Sequence, residues 1–155
     1  MDNIKARFRQ YQEAIETSNI VSKTDTNGTI TFVNDEFCKM SGFTREELIG
    51  ANHNIVRHPE VPKEVFARLW DTILAKKVHK GTIRNRTKDG RDVYLNTTII
   101  PILDLSGQIE EFLAIRHDVT DVINLNNELE KTKKELLNLN EKLENRVAEQ
   151  TAKLV

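Results

Sequence analysis

Residues 121–155 contain no glycine, proline or aromatic residue, and their leucines follow the spacing of a coiled coil. Steps of four and three residues separate the members of the series Leu125, Leu129, Thr132, Leu136, Leu139 and Leu143, and a further step of four to Val147 indicates a stutter. As one helix this segment would extend roughly 50 Å at ~1.5 Å per residue. A domain of about 100 residues cannot cover so long a stripe. The pattern therefore predicts a partner helix, most simply from a parallel homodimer.

A second amphipathic helix is predicted at the start of the chain. Within residues 1–19 the apolar side chains of Ile4, Phe8, Tyr11 and Ile15 share one helical face. Residues 20–120 hold all six glycines and all three prolines. The sequence therefore predicts three parts, which are a helix over 1–19, a folded domain over 20–120 and a coiled-coil helix over 121–155.

Composition excludes several classes of function. The net charge of −1 lacks the cationic excess of a protein that binds nucleic acid without sequence preference. Cys38 is the single cysteine, which excludes an internal disulfide and suits a reducing compartment. No apolar run is long enough for a membrane span. These features predict a cytoplasmic protein.

Short β-rich runs, residues 20–23 and 29–33, flank Asn27-Gly28, which is typical of a tight hairpin. Asn34 is placed to cap the next helix and Gly42 to end it, and Thr44 and Glu47 have the spacing of a capping box. Residues 51–60 are polar and predicted to be irregular.

Pro62 opens a longer helix whose apolar periodicity continues to about Lys77. From residue 79 the period becomes two, over runs that end near Thr87 and that span 92–103 and 108–118. Three hairpin-linked strands exclude a doubly wound parallel sheet. The order predicts an α+β fold, with an antiparallel sheet and short helices on one face.

Several residue patterns between positions 18 and 121 resemble those of one protein family. The stretch from Val21 to Asn34, with Ser41-Gly42-Phe43 and Glu47-Leu48-Ile49-Gly50, resembles the opening of a PAS sensor domain. Lys88-Asp89-Gly90 and the closing Asp118-Val119-Thr120 resemble its second half. The resemblance covers about residues 18–121 and implies a five-stranded PAS fold, flanked by the two helices already predicted. It also implies that Asp118 joins the sheet to a signalling helix.

Residues 52–63, together with Phe66, Trp70 and the strand from Lys80 to Arg86, resemble the PAS domain of the bacterial aerotaxis (energy-taxis) receptors, which bind FAD. Glu60 stands where that family often has Asp, and this chain continues into a coiled coil rather than a membrane anchor. The resemblance implies FAD as cofactor and implies flavin-binding or redox-reporting roles for Asn34, Arg57, His58, Phe66, Trp70 and Asn85.

The chemistry of these residue types suits a flavin. Aromatic and aliphatic side chains would form the slot for the ring, and the expected members are Phe37, Phe66, Trp70, Ile99 and Ile115. An asparagine carries both a donor and an acceptor, and Arg57 offers a planar fork for phosphate oxygens.

Each of these residues also has a structural alternative. Asn34 would serve as a helix cap, Phe66 and Trp70 as core, Asn85 as a solvent-facing strand residue, and Arg57 as part of a loop tied to Glu60. Haem is the alternative cofactor, with His53, His58, His79 and His117 as candidate ligands. A flavin–cysteine adduct at Cys38 is disfavoured, because a small core residue is expected there.

No catalytic motif is recognisable in the 155 residues. The expected function is a sensor that relays redox, oxygen or energy state through a dimer formed by residues 1–19 and 121–155. Residues 144–154 resemble the linkers that follow PAS domains in sensor histidine kinases and diguanylate cyclases. Such an output domain, or a chemotaxis-type partner, is therefore expected. The alternative is a PAS module that only dimerises.

Overall fold

The computed structural model describes residues 2–154. Its elements, in chain order, are α1 (Asp2–Ser18), β1 (Ile20–Thr24), β2 (Ile30–Val33), α2 (Asp35–Ser41), α3 (Arg45–Leu48), a 3-10 helix (His53–Val56), α4 (Lys63–Leu74), β3 (His79–Arg86), β4 (Asp92–Leu103), β5 (Ile109–Asp118) and α5 (Thr120–Lys153). The chain divides into two compact units at the boundary between Thr120 and Asp121.

The five strands form one antiparallel sheet in the order β2-β1-β5-β4-β3. This confirms the α+β prediction. The two β-rich stretches of the sequence join into one sheet where β1 pairs with β5. Directly opposed residues share a face of the sheet. Ser22 opposes Ala114, and Thr97 opposes both Arg116 and Gly81, so the side chains of Ser22, Thr97, Ala114 and Arg116 share one face of the sheet. Helix α4 covers this face, because Ala114 packs in one cluster with Leu69 and Ile73.

The local signals in the sequence act as predicted. The Asn34 side chain caps α2 by accepting a hydrogen bond from Phe37 N, and Gly42 ends that helix in the left-handed conformation with φ of 78°. Thr44 and Glu47 form the capping box of α3.

Two boundaries differ from the sequence prediction. Helix α4 ends at Leu74 rather than near Lys77, because Lys76 takes a positive φ of 64° that a helix cannot contain. Residues 51–60, which were predicted to be irregular, include the 3-10 helix, whose first turn is capped by Asn52.

The apolar core consists of two separate clusters. One gathers residues of β1, β2, α2 and the start of β4 around Phe37 and Leu48. The other gathers Leu69 and Ile73 of α4 against Ile99, Phe112 and Ala114 of the sheet. The inner face of the sheet between these clusters carries polar residues instead.

The last residues of the first unit are held by hydrogen bonds to β4. Val119 N donates to Tyr94 O at 2.8 Å, and Tyr94 N donates to Thr120 Oγ1 at 3.0 Å. The Asp118 carboxylate accepts from Thr120 N at 2.9 Å. The Asp-Val-Thr sequence therefore fixes the point at which the sheet ends and α5 begins.

The second unit is a single helix with exposed apolar side chains, which include Leu125, Leu129, Leu136, Leu139 and Leu143. Within residues 2–154, no helix has both the length and the apolar character that a membrane span requires.

The turn between β1 and β2 yields a stability prediction. A Cβ on Gly28, where φ is +85°, would lie 3.1 Å from Cζ2 of Trp70, whereas a Cβ on Gly90, where φ is +87°, would meet nothing within 4 Å. G90A is expected to lose about 1–2 kcal/mol of unfolding free energy from backbone strain. G28A should lose that amount and about 1–3 kcal/mol more from crowding. Urea unfolding followed by fluorescence of the single tryptophan measures both variants, and equal losses would contradict the packing of Trp70 on this turn.

Candidate functional site

A cavity of about 90 Å³ lies between the inner face of the sheet and the segment formed by the 3-10 helix and α4. Its apolar wall is aromatic and aliphatic and comprises Phe66, Leu69, Trp70, Ile73, Ile83, Ile99 and Phe112. Trp70 and Phe112 meet edge to face, with ring centroids 5.6 Å apart. The polar strand residues in the lining are Ser22, Thr24, Asn85, Thr97 and Arg116, and the turn and loop residues Gly28, Asn52, His53, Asn54 and Arg57 also contribute.

Asn85 is a buried polar side chain whose hydrogen-bonding groups are free. It lies on β3, is 6% exposed and lines the cavity. No hydrogen bond from its amide to another side chain or to the backbone occurs within residues 2–154. The amide therefore offers a donor and an acceptor to whatever enters the cavity.

Arg116, on β5, is a buried cation that also lines the cavity, and it is only 3% exposed. Its Nη2 donates to Nε2 of His53 at 2.8 Å, while its Nη1 is buried without a partner in the described part of the chain. Burial lowers the pKa of the guanidinium to about 10, so it stays charged at neutral pH. The cavity therefore holds a fixed positive charge.

His53 is the neutral partner of that charge. Its ring packs edge-on against Phe37 with centroids 5.8 Å apart, and Ser22 Oγ lies 3.4 Å from Nε2. Burial first, and the neighbouring Arg116 second, lower the pKa of His53 to about 3. Because Nε2 accepts the hydrogen bond from Arg116, the proton of the neutral ring lies on Nδ1.

The rim of the cavity is formed by Arg57 and Phe66. The guanidinium of Arg57 lies 3.8 Å from the centroid of the Phe66 ring, and Arg57 forms an isolated antiparallel bridge with Asn85. The bridge attaches the loop before α4 to the edge strand of the sheet. Arg57 is exposed, so its charge faces solvent at the mouth of the cavity.

Four of the six residues implied by the family resemblance line this cavity, namely Arg57, Phe66, Trp70 and Asn85. Asn34 and His58 do not. Asn34 accepts from Val21 N and Phe37 N, and donates to the carbonyl oxygens of Glu16 and Asn19, at 2.7–3.0 Å. Its amide has no free group for a ligand and instead ties α1, β1 and α2 together.

His58 is buried and binds the protein on both sides of its ring. Nδ1 accepts from Glu60 N at 3.1 Å, and Nε2 lies 2.9 Å from the carboxylate of Asp92, whose pKa is lowered by the hydrogen bond from Arg84. The ring therefore attaches the loop of residues 57–60 to β4. Glu60 pairs with Arg84 at 3.1 Å and not with Arg57, which corrects the loop alternative.

Two residues expected to form the slot lie elsewhere. Phe37 belongs to the first core cluster, and Ile115 pairs with Val21 and Thr98 on the opposite face of the sheet. Cys38 packs against the same cluster as Phe37 and is absent from the cavity lining. Sequence reasoning missed Arg116. The available signal was its place two residues beyond Ala114, on the inward side of an alternating strand.

The lining fits the chemistry of a flavin ring. A flavin needs apolar walls, amide-type partners for its polar edge and cations for its phosphates, and Trp70, Asn85 and Arg57 are of those types. The cavity is smaller than the roughly 300–1,000 Å³ of typical ligand pockets. Ring binding therefore requires outward movement of a wall side chain, and the partly exposed Trp70 and Phe66 are placed for it.

Comparisons with known proteins agree with this architecture. Residues 6–119 match the family model of the PAS fold. The chain is 36% identical over 106 residues to the aerotaxis receptor of Escherichia coli (strain K12). The aligned region covers 68% of this chain and 21% of the receptor. The chain thus spans about a fifth of that relative.

Solved structures show the same fold. The PAS domain of a Colwellia psychrerythraea protein aligns with a TM-score of 0.68 at 23% identity, over 74% of this chain and 98% of that one. A light-oxygen-voltage domain studied with a flavin analogue aligns with a TM-score of 0.66 at 17% identity, over 78% of this chain and 93% of that one.

The depressed pKa of His53 predicts how stability depends on pH. Below pH 6.5 the unfolded chain binds a proton that the folded protein excludes until about pH 3. The unfolding free energy should fall by about 1.4 kcal/mol for each pH unit below 6.5. H53Q should lack this contribution between pH 6.5 and 4.5 in urea titrations, with H117Q, which removes an exposed histidine, as the matched control. An identical slope in wild type and H53Q would contradict the burial of this ring.

The four hydrogen bonds of Asn34 predict a structural role for its amide. N34A should lose about 2–4 kcal/mol of unfolding free energy, because it leaves several buried backbone groups without partners. T44A, which removes an exposed helix cap only, should lose about 1 kcal/mol. Urea unfolding compares the two variants, and a loss in N34A no larger than in T44A would contradict the role.

Proposed function

This chain belongs to the PAS family, and we propose that it is a cytoplasmic sensor module that binds FAD and relays the redox state of the flavin through α5. PAS domains of its relatives are parts of signalling proteins. The observation that carries the proposal is the free amide of buried Asn85, which lines the same cavity as an aromatic wall and a buried cation.

A bound flavin would supply a ring that accepts and returns electrons. Trp70 and Phe66 would enclose that ring and exclude water from it. Asn85 would hold its polar edge in either protonation state, because the amide donates and accepts. Arg57, exposed at the rim, would bind the phosphates. Asn34 and His58 are proposed as supports of the cavity, since their polar groups are already bound within the protein.

The route of the signal follows the order of the strands. Asn85 opposes Val93 of β4, and β4 is hydrogen-bonded to β5. Tyr94, next to Val93, exchanges hydrogen bonds with Val119 and Thr120. A change in the hydrogen bond made by Asn85 would thus reach the first residue of α5 through one neighbouring strand.

Helix α5 would carry the signal as a parallel homodimer, assisted by the exposed apolar face of α1. In a parallel coiled coil with Leu129, Leu136 and Leu143 at equivalent positions, Glu128 of one chain meets Lys133 of the other. That attraction favours the parallel arrangement. The dimer would act on a kinase or cyclase output domain, or on a chemotaxis-type partner, so the module regulates rather than catalyses.

A second candidate, a PAS module that dimerises without a cofactor, is favoured by the small volume of the cavity. The absorption spectrum of the purified chain separates the two. A two-banded yellow spectrum supports FAD, an intense Soret band would point to haem, and colourless protein after incubation with FAD or haem would support assembly alone.

The role of Asn85 predicts the effect of removing its amide. N85A should weaken FAD binding about tenfold or more, because a buried ligand group loses its partner. N96A, at an exposed position on β4, is the matched control and should bind FAD as the wild type does. Titration of flavin fluorescence gives both dissociation constants. Equal affinities in the two variants would contradict this role.

Adjacent leucines of α5 test the dimer. Leu136 lies on the seam and Leu137 beside it, and both are exposed in the single chain. L136E places like charges within the predicted interface and should yield monomers, whereas L137E should stay dimeric. Sedimentation equilibrium measures the masses. A dimeric L136E would exclude this seam as the interface.

A further inference from the structure

Nη1 of Arg116 is the buried side-chain polar atom that lacks a hydrogen-bond partner in the described part of the chain. Arg116 is 3% exposed and lines the cavity, and its Nη1 has no partner. None of the ion pairs within residues 2–154 includes it. A buried cation without a counter-ion destabilises a fold. Folding alone therefore does not explain an arginine here.

The contacts of Arg116 orient it without neutralising it. Its Nη2 donates to Nε2 of His53, and its guanidinium carbon lies 5.2 Å from the centroid of the Phe37 ring. The charged and titratable groups that act on His53 are Arg116 and Arg57, and the hydroxyl of Ser22 lies 3.4 Å away. None of these groups is an anion. The remaining N–H of the guanidinium is thus available to the cavity.

We infer that Arg116, positioned by His53, is the specificity-determining residue of the cavity and selects a planar ligand whose edge carries a carbonyl or anionic acceptor. Asn85 provides the complementary donor and acceptor on β3, and Thr97 of β4, which opposes Arg116, lines the same cavity. This inference rests on the proposed function and adds to it the residue that recognises the ring.

The fixed charge also has a consequence for electron transfer. An external donor such as dithionite is oxidised when it reduces the ring, and any electron not matched by a proton from solvent leaves a negative charge on the ring. A buried cation stabilises that charge more than it stabilises the neutral oxidised ring. Arg116 therefore shifts the midpoint potential of the bound flavin to more positive values.

The experiment compares wild type with R116M, R116K and H53L after reconstitution with FAD. R86M, which removes an exposed cation from β3, is the matched control. R116M should weaken FAD binding about tenfold to hundredfold, the effect of losing a charged hydrogen bond. It should also shift the midpoint potential, measured by spectroelectrochemical titration, to more negative values. R116K should keep most of the positive shift in midpoint potential, because it keeps the charge. H53L should lose part of that shift, because His53 no longer holds the guanidinium in place.

A third measurement needs no flavin. Thermal unfolding of flavin-free R116M should occur at the wild-type temperature or several degrees above it, because the unpaired charge is gone. A lower unfolding temperature would show that Arg116 serves the fold and would overturn the inference. Should R116M fail to fold, the same conclusion applies.

The outcomes separate the inference from the proposed function. Wild-type binding of FAD with an unchanged affinity and potential in R116M and H53L overturns the role of Arg116 and leaves the proposed function standing. A wild-type chain that takes up no flavin overturns both. Loss of affinity together with a negative shift in R116M and H53L, but not in R86M, supports the inference.

Discussion

The buried charge of Arg116 is the constraint around which the sensor unit is arranged. Its strand alternates Phe112, Ala114 and Arg116 toward the helices, so an apolar row ends in a cation. Apolar side chains cannot close over a guanidinium without a partner, because a buried charge is costly unless it is paired. The apolar core is divided into two clusters, and the polar residues that line the cavity belong to neither.

The cavity is held by residues that do not face it. Asn34 joins α1 to the start of the sheet, and His58 fastens the loop before α4 to Asp92. The family resemblance implies ligand contacts for both residues, yet their hydrogen bonds are made within the protein. Substitution of Asn34 or His58 would therefore disturb a bound group indirectly, by moving the walls of the cavity. Residues of this kind support the fold and the site at the same time.

Local signals in the sequence predicted most of the fold. Asn34, Gly42 and Thr44 act on their own helices, and the period of two in residues 79–118 reports a sheet with one covered face. The end of α4 was missed because Lys76 adopts a left-handed conformation, which a lysine in this sequence does not indicate. The contact between Arg116 and His53 was missed because the two residues lie 63 positions apart in the chain and meet only in the folded protein.

A structure of the chain with FAD bound is the decisive measurement. The flavin ring should lie between Trp70 and the sheet, with its polar edge within hydrogen-bond distance of the Asn85 amide and of Nη1 of Arg116. A ring bound elsewhere, or one whose polar edge turns away from both groups, would contradict the account.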